Sequence, residues 1–294
     1  MNKFLYKGTG VALITPFKKD ESIDWQAFEK LIEHCINGKL DYLVLQGTTG
    51  ESPAITADER AQLITYTAEM VNGRCPLVLG LGGNSTHQVV HAVQHTNLNG
   101  YQAILSVCPY YNKPNQAGII QHYTMLADMS PLPIILYNVP GRTGVNMTAE
   151  TQLTLAKHPN IIATKEASGD IEQMMTIIKN KPENFELISG DDSLTFAITA
   201  LGGSGVISVI AQLIPHHFSE MVRKALDGKI DEARTLHYKS LDLCRVIFAD
   251  GSPGGIKHLL NKIGIGETTL RLPLSNVNRQ TAEALETAWQ KFNL

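Results

Sequence analysis

The sequence predicts an α/β fold: a (β/α)8 TIM barrel followed by a C-terminal helical region. Short apolar or β-branched runs recur along the chain, and longer segments with helical spacing separate them. The apolar runs are continuous rather than alternating, which is typical of parallel strands covered on both faces. Eight such units within about 225 residues match the size of a (β/α)8 barrel. A doubly wound open sheet is the alternative, but eight regular units favour closure.

The strands and helix starts can be placed along the chain. The predicted strands cover residues 11–15, 42–46, 76–81, 103–108, 133–138, 161–167, 185–189 and 205–209. Thr56 with Glu59, and Ser85 with Gln88, have the spacing of capping boxes at helix starts. Segment 212–225 carries apolar residues on one helical face. Those residues are Ile214, Phe218, Met221, Val222 and Ala225.

The chain is predicted to have two parts. Residues 1–225 form the catalytic barrel, and residues 226–294 form an extension without a strand-like run. The extension is predicted to form three helices, near 230–248, 253–263 and 278–292. Because no Pro/Ser-rich linker precedes the extension, we expect it to pack on the barrel.

Composition excludes several classes of protein. The 294 residues include 25 Lys and Arg against 28 Asp and Glu, so the charges nearly balance. No basic run interleaved with aromatic residues suggests nucleic-acid binding. The mean hydropathy is −0.06, and no apolar run approaches the ~20 residues of a membrane span. The four cysteines are scattered without a C-x-x-C pair, which fits a reducing compartment. With no signal-peptide core at the start, we expect a cytoplasmic enzyme without membrane or nucleic-acid partners.

Chemically capable residues follow the predicted strands. In a parallel barrel, catalytic groups lie at the carboxyl ends of the strands and in the loops that follow. Glycines, hydroxyls, tyrosines and one lysine fall at these positions. The segments are Thr15-Pro16, 47–52, 82–84, 109–112, 137–142, Lys165-Glu166, Gly190-Asp191 and Ile207-Ser208. We therefore expect the active site at this end of the barrel.

Lys165 is the most informative single residue. It lies inside the apolar run 161–165, where a lysine is rarely buried without a reason. Burial disfavours the ammonium, and a neutral amine is what Schiff-base chemistry requires. The alternative is a strand-end lysine paired with Glu166 or another acid.

Three neighbouring features permit more than one interpretation. The glycine-rich segment 47–50 could cradle a small carboxylate or be a structural turn; it lacks the Gly-Lys-Ser/Thr ending of a nucleotide-binding loop. Tyr137 could be a core tyrosine with a satisfied hydroxyl. Arg142, in a Pro-Gly-Arg-Thr-Gly loop, could clamp a carboxylate or be a surface arginine.

Two polar clusters receive structural interpretations. His87, His91 and His95 recur at helical spacing, but no acidic or cysteine partner is near, so a solvated face is preferred over a zinc site. We expect no metal. Asp191 and Asp192 could act as general bases, but an adjacent pair opening a helix more often caps it.

The motifs together resemble the dihydrodipicolinate synthase family, of the pyruvate-dependent class I aldolase superfamily that also contains N-acetylneuraminate lyases. They span the whole chain: GTTGES at 47–52, PYYNKP at 109–114, YNVPGRT at 137–143, ATKEAS at 163–168, SGDD at 189–192, GGSGVISV at 202–209 and LRLP at 270–273. Thr48 followed by Thr49 favours the synthase branch over lyases with Gly-Ser-Thr there. Arg142 stands where synthases carry a carboxylate-binding arginine that the lyases lack.

This resemblance implies substrates and roles. Lys165 would form an iminium with pyruvate, whose carboxylate Thr49 would hold in a pocket lined by Ile207. The resulting enamine would add to L-aspartate 4-semialdehyde, with Arg142 receiving its carboxylate near Gly190. No metal or organic cofactor would be needed, since the lysine itself provides the electron sink.

The resemblance also implies an oligomer. Tyr137 would move protons through a relay with Thr48 and Tyr111, and Tyr111 would reach into a neighbouring subunit's site. We therefore expect a dimer that completes each site, paired into a homotetramer.

Feedback-inhibited relatives bind lysine at a dimer interface, and this chain departs from their pattern. Ser52, Asn84 and Tyr110 match that allosteric site. The usual histidine, histidine and glutamate are replaced by Ala57, Arg60 and Gln88. Without a carboxylate and with an added cation, weak or absent inhibition by L-lysine is expected. A smaller departure at 251–255, where relatives often have Asn-Pro, is expected to touch the helical extension and not the chemistry.

Two other functions remain open. A sugar-aldehyde aldolase of the same superfamily would share Lys165 and Tyr137 but would not need Arg142. A non-catalytic barrel could bind pyruvate or lysine as a sensor, although binding alone needs neither a Schiff-base lysine nor a proton relay.

Overall fold

A closed barrel of eight parallel strands forms the centre of the molecule. The computed structural model describes residues 4–294. Each strand pairs with the next in sequence, and β8 pairs back with β1. This topology confirms the predicted (β/α)8 TIM barrel and excludes the open sheet. The strands are β1 (Gly8–Ala12), β2 (Tyr42–Leu45), β3 (Leu77–Gly80), β4 (Ala103–Val107), β5 (Ile134–Asn138), β6 (Ile161–Glu166), β7 (Glu186–Ser189) and β8 (Gly205–Ser208).

Helices occupy the connections between the strands, a further helix follows β8, and together they cover the barrel. They are α1 (Trp25–Asn37), α2 (Ala57–Val71), α3 (Thr86–His95), α4 (Gln116–Met129), α5 (Pro140–Thr143), α6 (Ala149–Leu155), α7 (Ile171–Asn180), α8 (Thr195–Ala200) and α9 (Pro215–Leu226). The five apolar residues predicted for one face of segment 212–225 are all buried, as expected. None of the helices within residues 4–294 is long and apolar enough to cross a membrane.

One of the two predicted capping boxes is present. Thr56 accepts a hydrogen bond from the Glu59 amide, and the Glu59 side chain accepts one from the Thr56 amide. The second prediction is wrong, because Ser85 makes no capping hydrogen bond. The neighbouring hydroxyl, that of Thr86, bonds instead to His122 Nδ1 at 2.9 Å.

The first strand begins three residues earlier than predicted. The prediction placed it at 11–15, whereas β1 covers Gly8–Ala12. Its two glycines carry no apolar signal, yet the barrel needs them. A Cβ on Gly10 would lie 2.1 Å from the Tyr42 ring, whose side chain fills the base of the barrel. This strand is therefore defined by its backbone pairing to β8 and by the close approach of the Tyr42 ring to Gly10, rather than by side-chain hydrophobicity.

The core has two layers, set by alternation along the strands. Tyr42 and Val44 point into the barrel, where they pack with Ile135 and Ile188. The intervening Leu43 belongs to the larger cluster between the strands and the helices. Because successive side chains of a strand point to opposite faces, the position of a residue along its strand decides whether it points into the barrel or towards the surrounding helices.

Three helices follow the barrel: α10 (Ile230–Val246), α11 (Gly254–Lys262) and α12 (Arg279–Asn293). They lie near the predicted positions, and α10 packs against α9 and α12. The division into a barrel of residues 1–225 and an extension of 226–294 stays a prediction.

Arg271, in the segment between α11 and α12, ties this region to the barrel. Its guanidinium pairs with Glu59 through two hydrogen bonds of 2.5 and 2.7 Å. It also donates to Ala54 O and Glu21 O, and it stacks 4.3 Å from the centroid of the Phe17 ring. The C-terminal segment is thereby joined to the β1–α1 connection and to the start of α2.

The Arg271–Glu59 pair predicts a specific acid sensitivity. Hydrogen bonding to Arg271 lowers the pKa of Glu59 from 4.5 to about 2. Because the folded-state pKa is depressed, the pair stabilises the fold above pH 4.5 and loses this contribution as pH falls towards about 2. We expect Glu59→Gln to lower the free energy of unfolding by about 1–2 kcal/mol near neutral pH.

The difference between wild type and Glu59→Gln should shrink as pH falls through this window, as measured by urea unfolding. Glu283→Gln, which removes an exposed pair with Arg279, is the matched control. If the free energies of unfolding of wild type and Glu59→Gln differed by the same amount at every pH, the stabilising role assigned to the Arg271–Glu59 pair would be contradicted.

Candidate active site

A cavity of about 330 Å³ opens at the carboxyl ends of the strands. We call it the Lys165 cavity. Six of the predicted site residues line it: Thr48, Thr49, Tyr137, Arg142, Lys165 and Gly190. Ile207 is buried with Tyr137 in the interior cluster and is not among the residues that line the cavity, whereas Val209 is. The end of the barrel where the sequence placed the chemistry therefore does contain a cavity.

Lys165 enters this cavity from β6. It lies in register with Tyr137 on β5 and Ile188 on β7, both of which face the barrel interior. Its side chain is only 6% exposed, and its Nζ lies 4.4 Å from the centroid of the Tyr137 ring. No carboxylate oxygen within residues 4–294 comes within 4.0 Å of Nζ, so the alternative of an ion pair with Glu166 is wrong.

Glu166 points the opposite way, behind the barrel. Its carboxylate is fully buried and is held by neutral donors. These are Gln152 Nε2 at 2.7 Å, Ser168 N at 2.9 Å, Asn138 Nδ2 at 3.0 Å and Gln173 Nε2 at 3.0 Å. Amide groups therefore satisfy this carboxylate, and Lys165 is left without an acidic partner. This role of Glu166 was not predicted from the sequence.

Gly190 makes room for the lysine at the end of β7. A Cβ at this position would lie 2.6 Å from the Ala167 Cβ and 3.1 Å from Cε of Lys165. The Gly190 amide donates to Glu166 O at 2.8 Å, which holds the two strand ends together. A larger residue would displace the Lys165 side chain.

The loop after β2 forms a wall of the cavity. Thr48–Gly50 is a 3-10 helix in which Gly50 N donates to Gly47 O at 3.0 Å. The amides of Thr48 and Thr49 precede this first bond, so they are available to a ligand. Thr49 is buried and Thr48 half-buried. Two successive backbone amides and two hydroxyls on one turn suit a small carboxylate.

A second cavity of about 320 Å³ adjoins the first, and we call it the Arg60 cavity. The two share Thr48, Tyr137 and Arg142, so a ligand in one is close to the other. Ser52 and Tyr110 also line it, whereas Asn84 does not. Arg60 donates to Ser52 O at 3.0 Å, and no Asp or Glu is among the lining residues.

Tyr111 lies outside both cavities of its own chain. Its side chain is 87% exposed, and its backbone has a φ of 73°, a left-handed conformation that is uncommon for a residue other than glycine. The structure therefore does not bring Tyr111 to Tyr137 and Thr48 within one subunit.

The two aspartates after β7 have different surroundings. Asp191 Oδ1 accepts from Ser193 N at 2.9 Å, a local turn bond in line with the capping interpretation. Asp192 is buried and accepts from Val209 N at 3.1 Å and Ile210 N at 2.8 Å, which holds the end of β8. Burial outweighs these hydrogen bonds and raises the pKa of Asp192 to about 6.

The three histidines of α3 are exposed, in line with a solvated face. His91 and His95 stack with ring centroids 4.0 Å apart. Within residues 4–294, no group of three or more His, Cys, Asp or Glu side chains is arranged to hold a metal ion.

The C-terminal region contributes cavity residues that were not predicted from the sequence. Arg245 and Phe248, near the end of α10, line the Lys165 cavity, and Ser252 does so from the following loop. The expectation that segment 251–255 touches only the extension is therefore wrong for Ser252. No sequence signal could have found these residues, because periodicity does not tell which part of an appended helix reaches the mouth of a barrel.

Comparison with known proteins agrees with this geometry. A sequence model of the dihydrodipicolinate synthetase family matches residues 5–291. A 4-hydroxy-tetrahydrodipicolinate synthase from Parabacteroides distasonis is 52% identical, over 98% of this chain and 97% of its own. A chloride-inhibited dihydrodipicolinate synthase (DHDPS) from Acinetobacter baumannii, solved with pyruvate, is 36% identical, with a TM-score of 0.95 and 98% and 99% of the two chains covered.

A structure of DHDPS from Cyanidioschyzon merolae with lysine bound is 37% identical, with a TM-score of 0.94 and 99% and 100% coverage. The closed barrel with a cavity at its strand ends is the architecture of a (β/α)8 enzyme, and the matches to named 4-hydroxy-tetrahydrodipicolinate synthases place it among lyases of the class I aldolase type. The chain belongs to the dihydrodipicolinate synthetase family.

Proposed function

We propose that the chain catalyses the Schiff-base condensation of pyruvate with L-aspartate 4-semialdehyde, a step of diaminopimelate and lysine biosynthesis, in the cytoplasm. The observation that carries the proposal is Lys165: a buried amine, without a carboxylate partner, that opens into a cavity also lined by Thr49 and Arg142. The name of the Parabacteroides relative and the pyruvate complex of the Acinetobacter relative support the choice of substrates.

The proposed chemistry begins at Lys165. Its amine adds to the keto carbon of pyruvate, and loss of water leaves an iminium. The iminium accepts the electron pair of a methyl C–H bond when that proton leaves, giving an enamine. The enamine carbon then adds to the aldehyde carbon of the second substrate. Finally the amino group of that substrate displaces the lysine, which closes the ring and frees Lys165.

The surrounding residues orient the two substrates. Thr49 and the amides at the start of its 3-10 helix bind the pyruvate carboxylate, which sets the ketone against Lys165. Ile207 forms the apolar floor of this pocket. Arg142 binds the carboxylate of the aldehyde substrate near Gly190, since a guanidinium pairs with both carboxylate oxygens.

Tyr137 moves the protons, in a relay with Thr48 and with Tyr111 of a neighbouring subunit. The 4.4 Å spacing of Lys165 Nζ from the Tyr137 ring puts the phenol beside the reacting amine. The exposure of Tyr111 outside its own cavities supports a role across an interface. We infer a homotetramer, a dimer of dimers in which each dimer completes its own sites.

Lys165→Ala should abolish pyruvate consumption that depends on aspartate 4-semialdehyde, and borohydride should trap pyruvate on wild type only. Arg142→Ala should keep the trapped adduct but lower kcat/KM for the aldehyde about 10- to 100-fold, because it removes a charged hydrogen bond. A normal rate in Arg142→Ala with a sugar-derived aldehyde would favour a sugar aldolase. If borohydride traps no pyruvate adduct on the wild type, the non-catalytic binding barrel would be favoured instead.

Subunits with complementary defects should restore one another. Tyr111→Phe and Lys165→Ala, co-expressed with different tags and purified as hybrids, should form sites with an intact Lys165 and a partner's intact tyrosine. The hybrid should be more active than either variant alone. Activity no greater than the two inputs would contradict a shared site.

We propose that L-lysine inhibits this enzyme weakly or not at all. Arg60 places a cation beside Ser52, and no carboxylate lines the Arg60 cavity to receive an ammonium. Activity should therefore persist at millimolar lysine, and the double variant Arg60→His/Gln88→Glu should become more sensitive. Strong inhibition of wild type by sub-millimolar lysine would overturn this proposal.

A further inference from the structure

A buried ion pair lies directly behind the loop that faces Lys165. Lys257 on α11 donates a hydrogen bond to Glu51, and both side chains are 0% exposed although the residues are 206 positions apart. The Lys257 ammonium also donates to Thr269 O at 2.9 Å and lies 4.4 Å from the centroid of the Phe17 ring. Burial lowers the pKa of Lys257, and the neighbouring Glu51 carboxylate opposes this shift.

Glu51 is the residue that follows the 3-10 helix Thr48–Gly50. Its amide donates to Thr48 O at 3.1 Å, and its backbone has a left-handed φ of 54°. Its second carboxylate oxygen accepts from Arg271 N at 3.1 Å. Both oxygens are thus held by the C-terminal region, from Lys257 on one side and Arg271 on the other.

Stability alone does not account for this arrangement. Desolvating two charges offsets much of their attraction, and apolar pairs of similar volume are often as stable. A left-handed conformation at a residue other than glycine is itself unfavourable, and it persists where the surroundings over-determine it, commonly at ligand clamps. Here the surroundings are the Lys257 ammonium and the Arg271 amide, and the adjoining ligand surface is Thr48–Gly50.

We propose that Glu51 and Lys257 are positioning residues: their buried pair sets the orientation of Thr48–Gly50, so that Thr49 and the nearby amides face Lys165. The inference rests on the proposed role of Thr49 in binding the pyruvate carboxylate. It makes the C-terminal helices part of substrate recognition, because α11 supplies the lysine that holds the loop.

The test uses the full-length chain and four variants. Glu51→Gln keeps the shape of the side chain, Lys257→Met removes the cation, and Glu51→Gln/Lys257→Met removes both charges. Lys262→Met is the matched control, since it removes an exposed pair with Glu286 from the same helix. For each, thermal unfolding, the pyruvate dependence of borohydride trapping, and amide hydrogen exchange of residues 47–55 are measured.

We expect Glu51→Gln to raise the half-saturating pyruvate concentration about 10- to 100-fold, with a smaller change in the limiting trapping rate, because a misplaced carboxylate site weakens alignment. Lys257→Met should unfold at lower temperature, since it leaves a lone buried carboxylate, and the double variant should recover thermal stability. In the double variant pyruvate saturation should stay impaired, a result that a merely structural pair would not produce. Lys262→Met should match wild type.

Recovery of both stability and pyruvate saturation in the double variant would overturn the inference, as would wild-type saturation in Glu51→Gln. Hydrogen exchange separates this outcome from failure of the proposed function. If wild type traps no pyruvate, the proposed function fails. Faster exchange of residues 47–51 in Glu51→Gln than in Lys262→Met would still support the positioning role, and equal exchange would refute it.

Discussion

Strand alternation in β6 is the constraint on which the site depends. Lys165 and Glu166 are adjacent in sequence and carry opposite charges, so in a flexible chain they would pair. In the closed barrel one points into the strand-end cavity and the other behind the strands, where amide donors satisfy the carboxylate. The amine is therefore buried without a counter-ion, and the barrel keeps it so because a one-residue shift of β6 would invert both side chains.

The hydrogen bonds to Glu166 connect the surrounding helices to β6. Gln152 on α6 and Gln173 on α7 both donate to Glu166, so the covering helices are fixed to the strand that carries the lysine. Gly190 lies against the Lys165 side chain at the end of β7, where a Cβ would come within 3.1 Å of Cε of Lys165. Orientation of the Lys165 amine thus comes from neutral hydrogen bonds and close packing rather than from a charge partner, which would occupy the amine.

The C-terminal region closes around the same end of the barrel. Arg271 joins it to the loop before α2 and to the β1–α1 connection, and Phe17 is stacked by both Arg271 and Lys257. Arg245 and Ser252 reach the cavity itself. The extension therefore contributes in two ways: its residues form part of the wall of the Lys165 cavity, and Lys257 and Arg271 hold the carboxylate of Glu51, which follows Thr48–Gly50.

The sequence by itself determined the barrel, and it predicted a strand-end site and the role proposed for Lys165, since apolar runs, helical spacing and a charge within a strand are local signals. It misplaced β1, because a glycine strand pairs through its backbone and carries no apolar pattern. Only the tertiary structure decided which face Lys165 and Glu166 occupy, that Glu51 meets Lys257, and that Ser252 lines the cavity. These are contacts between distant segments, and barrel closure, rather than local preference, brings such segments together.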